Sequence, residues 1–255
     1  STNTGLAPYL EHMLFKGTDK YGTFDFSKEQ VYLKQIENLY EKYNSTKDTT
    51  ARKKIYGDID SISGLASQYS IANEYDKMVQ AIGATGTNAY TSVEQTVYVN
   101  TIPHNEIHRW LEIEAERFRH PVMRLFHTEL EAVYEEKNIS MDNDYSKVFE
   151  TMNASLFKKH NYGLQTTIGT VEHLKNPSLV KINEYYQTYY VPNNMAIIMA
   201  GDFGYDSTIK MIVEHFSSMK SKPVPEYKFP IEYPSAQPKT FTITGKTEPS
   251  TWIGF

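Results

Sequence analysis

There is no cysteine among the 255 residues, so the chain forms no disulfide, holds no thiolate-bound zinc and offers no thiol nucleophile. Any metal site has to be built from histidine and carboxylates. Long apolar runs are also missing, and no stretch approaches the roughly 20 residues that a membrane-spanning helix requires. Excess charge is scarce: 26 Lys and Arg against 31 Asp and Glu leave a net −5. That balance argues against nucleic acid or an anionic membrane as a default partner. No short-period repeat or low-complexity tract interrupts the chain. What remains is ordinary for a globular protein, with 40% hydrophobic and 22% charged residues and enough length for one large or two small domains. Tyrosine is abundant at 20, suited to core or groove lining.

The apolar spacing predicts a helix from Thr4 to Phe15, with Leu6, Leu10, Met13 and Leu14 on one stripe and Gly17 as its stop. A second helix, capped by Ser27, runs to Tyr43, and a third carries Ile55, Ile59 and Ile62. The polar break at 44–50 between them suggests a helical hairpin. Asn88 to Thr101 alternates and is rich in Thr, Tyr and Val, which reads as two strands joined near Ser92–Glu94. Further helices are expected at Glu106–Phe118, Thr128–Asn138 with Thr128 as cap, Leu179–Tyr190 and Ser207–Phe216. Met195–Met199 reads as a short buried strand, and Lys239–Thr244 and Thr251–Phe255 as strands that begin something new. Five prolines between Ser221 and Pro238 mark an extended linker. The mixture indicates an α+β fold.

The segment Gly5-Leu6-Ala7-Pro8-Tyr9-Leu10-Glu11-His12-Met13-Leu14-Phe15-Lys16-Gly17-Thr18 is the sharpest signal. A later one, from Phe126 to Asn138, carries Glu129 and Glu136 seven residues apart, two turns along one helix face. The first resembles the His-x-x-Glu-His helix of the pitrilysin/insulinase family of zinc metallopeptidases, the inverzincins, and the second resembles that family's later acidic helix. The resemblance implies that Glu11 is the general base, that His12 and Glu136 are zinc ligands, and that Glu129 is a carboxylate orienting a ligand. Cleavage in the family proceeds by zinc-activated water attacking a peptide carbonyl, with the Glu taking its proton. Asn88-Ala89-Tyr90-Thr91, followed by Glu94, Thr96 and Tyr98, resembles the family hairpin beside the cleft. This implies that Asn88, Ala89 and Tyr90 bind peptide by strand addition. Tyr189–Met195 and Ala200–Phe203 match a structural signature of the family. Among the other seven histidines, His104, His108, His120, His127, His160, His173 and His215, none has ligand spacing to another within a helix: His104 and His108 are four apart, but Pro103 places His104 at a helix mouth.

One position departs from the pattern. Pro8 stands where the family has its first ligand His. Proline is tolerated in a first helical turn but cannot ligate a metal, so the helix is expected to survive and zinc to bind weakly or not at all. Two functions follow. The chain is a zinc endopeptidase with a disabling replacement, or it is a non-catalytic relative that binds peptides or completes a chamber with an active partner subunit. Joint retention of Glu11, His12 and Glu136 favours the first.

The resemblance also implies a half-domain of the mitochondrial-processing-peptidase type: a mostly antiparallel sheet with helices packed mainly on one face. It spans about 1–232, without the first strands, and a helical-hairpin insertion occupies about 27–75. Residues 233–255 read as a linker and the start of a following domain. A second homologous half is the expected partner, and bacterial relatives with such an insertion point to the cell envelope.

Overall fold

The computed structural model describes residues 4–234 and 237–254. Helix α1 (Leu6–Met13) starts at Gly5, whose φ of 79° is left-handed. A Cβ at Gly5 would lie 2.5 Å from the Ile168 carbonyl oxygen, so only glycine fits this close approach. Of the stripe read from the sequence, Leu10, Met13 and Leu14 are buried and Leu6 is half-buried, and Tyr9 is buried beside them. Helices α2 (Phe26–Ser45) and α3 (Thr49–Ser67) follow. The short link at 46–48 folds α3 back along α2, so that Ile36 and Tyr40 share a core with Ile55 and Ile59. Asp25 rather than Ser27 caps α2, accepting from the Lys28 N–H at 3.2 Å. A carboxylate there is also favoured by the helix dipole.

After α4 (Glu74–Ala81) come strands β1 (Thr85–Thr91) and β2 (Thr96–Thr101), then α5 (Ile107–Arg119), α6 (Phe126–Asp142) and α7 (Asp144–Leu156). Short α8 (Asn161–Leu164) and α9 (Val171–Leu174) precede α10 (Leu179–Tyr189) and α11 (Tyr205–Phe216). β1 and β2 pair antiparallel, with Asn88 opposite Val99, Ala89 opposite Tyr98 and Thr91 opposite Thr96. No helix among the described residues is long and apolar enough to cross a membrane.

Helices dominate the fold, and the β component is smaller than the sequence suggests. Among the described residues the sheet has two strands, where a mostly antiparallel sheet covered by helices was expected. Met195–Met199 is extended without a ladder, and Ile198 is 89% exposed rather than buried. Residues 239–244 and 251–254 are likewise not strands, and Phe255 lies outside the described residues. An apolar β-branched run satisfies its backbone as a strand only when a neighbouring chain supplies the hydrogen bonds, and none is paired with these segments. Helix α6 starts at Phe126, two residues before the expected Thr128 cap, with Leu125 at φ 56°. Phe126 packs against Tyr9 and Tyr40, at ring centroid distances of 5.6 and 5.1 Å, and this contact outweighs a side-chain cap.

What sets α1 against α6 is Arg124. Its side chain is fully buried, as is that of Glu29. All five guanidinium N–H groups are used. Nε and Nη2 donate to Glu29 at 3.0 and 3.1 Å, Nη1 to the carbonyls of Lys16 and Tyr21 at 2.7 and 3.2 Å, and Nη2 also to Thr18 O at 2.7 Å. One side chain thereby fastens the loop after α1 to the residue pair that opens α6, and to α2.

Candidate functional site

Helix α1 presents Glu11 and His12, and α6 presents Glu129 and Glu136 across from them. His12 bridges both acidic residues: Nδ1 lies 3.0 Å from Glu129 Oε2, and Nε2 lies 3.3 Å from Glu136 Oε1. Lys16, one turn beyond His12, closes the other oxygen of Glu129 at 2.6 Å. Glu129 is mostly buried and Glu136 half exposed, so Glu129 is held on two sides while Glu136 stays open to an incoming ligand. A carboxylate on Nδ1 fixes the ring and directs Nε2 at Glu136.

The charges of the group are interdependent. The hydrogen bond that His12 donates to Glu129 raises the His12 pKa above the ordinary histidine value; burial opposes this, and the charges of Glu136, Glu129 and Glu11 add to it. Burial pushes the Glu129 carboxyl upward, but hydrogen bonds from His12 and Lys16 outweigh it and leave the pKa lowered. A raised folded-state pKa means that the native protein keeps a proton the unfolded chain releases. The stability this supplies is complete below about pH 6.5, the unfolded histidine value, and is lost as pH rises through the raised value. An NMR titration of the His12 ring should therefore show a midpoint above the free-histidine value, and Glu129→Gln should lower it. A midpoint unmoved by Glu129→Gln contradicts the assignment of the main cause.

Glu11 turns toward the hairpin. Its Oε2 accepts a hydrogen bond from the Thr91 hydroxyl at the end of β1. Pro8 is buried in the first turn of α1, one turn before His12 on the same face, and contributes no donor there. Among the described residues no three His, Asp or Glu side chains are gathered closely enough to hold a metal ion. The donors in place, His12 Nε2 and Glu136, are one short of the three protein ligands a catalytic zinc takes. The residues present thus do not fit a resident catalytic zinc.

Asn88 and Tyr90 are exposed on β1, Ala89 is half-buried, and the strand packs beside α1. β2 is the strand paired with β1, which leaves the second edge of β1 without a strand beside it among the described residues. Four of the remaining histidines are occupied elsewhere: His127 Nδ1 meets Tyr40 Oη at 2.7 Å, His173 Nδ1 meets Thr4 Oγ1 at 2.8 Å, and His108 stacks edge-on to His215. Two polar residues at the site, Lys16 and Thr91, lie within the motifs but carry no role that the motif pattern predicts. Lys16 lies four residues after His12, a spacing that puts it on the same face and was the available signal.

A family model described as "Insulinase (Peptidase family M16)" matches residues 63–170, and one described as "Peptidase M16 inactive domain" matches 178–255. The zinc protease PqqE of Helicobacter pylori is 26% identical over 194 residues, 73% of this chain and 42% of that protein. Mouse insulin-degrading enzyme is 29% identical over 175 residues, 66% of this chain and 17% of that enzyme. The crystal structure of a protease from Helicobacter pylori superposes with a TM-score of 0.65 at 21% identity, covering 90% of this chain and 44% of that one. The chain therefore spans less than half the length of these relatives.

Proposed function

We propose, from the premise that this chain belongs to the pitrilysin/insulinase family of zinc metallopeptidases, that it carries the helix-borne half of an endopeptidase site which Pro8 holds without turnover. The observation that carries the reading is the convergence on His12: Glu136 within 3.3 Å of Nε2 and Glu129 on Nδ1. In a metallopeptidase the ligand imidazole has its second nitrogen tied to a carboxylate, and the metal takes the first together with a carboxylate from another element.

Each side chain then has a task. His12 and Glu136 would be two of the three ligands a zinc needs, Glu129 with Lys16 would hold the imidazole in one orientation, and Glu11 would be the base; a zinc there would supply Lewis acidity only with a third donor. Asn88, Ala89 and Tyr90 lie on the free edge of β1, where an extended peptide can add as a strand through backbone hydrogen bonds. Residues 1–232 form one peptidase half-domain with α2 and α3 as an insertion, and a second homologous half or partner subunit completes the chamber.

The test is a zinc titration of the chain as it stands, followed by incubation with an unstructured peptide. Less than a full equivalent of zinc and no cleavage are expected. Stoichiometric, tightly held zinc in the Pro8 chain would falsify the reading. A second reading, a non-catalytic peptide-binding member, is favoured by how well Pro8 is buried in the first turn. It is distinguished by Pro8→His: peptide binding without any gain in zinc belongs to that second reading.

A further inference from the structure

Glu11 is tethered by more than one hydroxyl. Thr91 Oγ1, which bonds Glu11, also lies 3.3 Å from Thr96 Oγ1 directly across the hairpin. Tyr98, on the same strand as Thr96, has its Oη 3.2 Å from Oη of Tyr190, which caps the C-terminus of α10. The Thr91 and Thr96 hydroxyls thus stand one behind the other at the carboxylate.

Their polarity follows from counting protons. An ionised carboxylate only accepts, so Thr91 donates to Glu11. With its single proton spent, Thr91 accepts from Thr96. Both O–H dipoles then point at the same anion, and the second bond polarises the first. Two residues along β2 from Thr96, the Tyr98 ring stacks beneath the guanidinium of Arg117, 4.7 Å from Cζ to ring centroid. Arg117 is fully buried, paired with Glu114 and wrapped by Phe15, Tyr75 and Phe118, and its Nε and Nη1 have no hydrogen-bond partner.

We propose that Thr91, backed by Thr96, is the positioning residue that aims the Glu11 carboxylate and keeps it off the His12 imidazole. The inference rests on the reading of Glu11 as the base. The hydroxyl row is a physical feature of the apo chain and can be tested without metal or turnover. The elements it joins are those that must be registered for cleavage: the metal helix α1 and the peptide-binding hairpin. A peptide strand added to β1 would press on the same hairpin that holds Glu11, linking substrate docking to the aim of the base.

The experiment reads the side-chain carboxylate 13C resonance of Glu11 in the full chain, assigned by its loss in Glu11→Gln. Thr91→Val keeps the shape and removes the hydroxyl, and it is expected to shift that resonance. Thr91→Ser restores the hydroxyl and should return the resonance to its parent position, while Thr96→Val gives a smaller shift in the same direction. Thermal unfolding of each variant, followed in parallel, separates a local loss from a failure to fold. A parent-like Glu11 resonance in folded Thr91→Val, or a shift that Thr91→Ser does not reverse, overturns the proposal. If Thr91→Val does not fold, Thr96→Val decides in the same way. Failure of the peptidase reading appears separately, in the zinc titration, and leaves these resonances untouched.

Discussion

Pro8→His is expected to bind one full equivalent of zinc, with an affinity more than about 100-fold above the parent chain, since loss of even an outer hydrogen-bond partner of a metal ligand costs roughly 10–100-fold. The geometry behind this is local. Residue 8 sits one helical turn before His12 on the same face of α1, which is the spacing at which two imidazoles grip one ion. His12 is already oriented by Glu129, and Glu136 stands 3.3 Å from its free nitrogen, so a third donor meets a half-built site. The backbone should not resist the change. An N–H regained in the first turn carries no intrahelical obligation, and α1 is held by Gly5, by its buried stripe and by the Tyr9 hydroxyl on the Leu174 carbonyl. Competition with a chromophoric chelator measures the gain. Glu136→Gln in the Pro8→His background should abolish most of it, and an affinity equal to the parent's would remove His12 and Glu136 as ligands.

Arg124→Met should lower the unfolding free energy by about 3–5 kcal/mol, the range for breaking a buried ion pair by removing one partner. The Glu29 carboxylate, with a fully buried side chain, loses its counter-charge, and three carbonyls lose their donors together. Arg124→Lys should recover only part of this, because an ammonium has three donors and no planar fork. The loss is expected to be structural and also specific to the site. The loop that Arg124 clasps contains Gly17 at φ 98°, where an added Cβ would lie 2.8 Å from Arg124 Nη1, and that loop leads directly out of α1. Urea unfolding gives the stability. The His12 resonance, no longer held between α1 and α6, should move toward the free-histidine titration. A loss below about 1 kcal/mol, typical of an exposed pair, would show that the fastening is not what the buried geometry implies.

Much of the helical framework was legible because it is written in short-range periodicity. The stripe of Leu10, Met13 and Leu14, the paired helices with Ile36, Tyr40, Ile55 and Ile59, and the β1–β2 hairpin each repeat their pattern within a few residues. Where the sequence misled, a long-range condition was missing from it. Met195–Met199 has the composition of a buried strand, but a strand exists only with a neighbour, and here Ile198 lies in solvent. The start of α6 was misread at Thr128 because the decisive contact, Phe126 against Tyr9 and Tyr40, spans more than 80 residues of chain.

The sequence by itself determined which residues could share a face: position 8 with His12, and Glu129 with Glu136, since a helix repeats every 3.6 residues whatever surrounds it. It also determined that Pro8 leaves the first of those positions without a donor. Only the tertiary structure decided that the two faces meet, that Lys16 backs Glu129, that Thr91 holds Glu11, and that Arg124 with its five hydrogen bonds brings α1 to α6. Those contacts join residues about 80 to 120 positions apart, where chain order carries no distance information and only packing and the pairing of buried charge decide which groups come together.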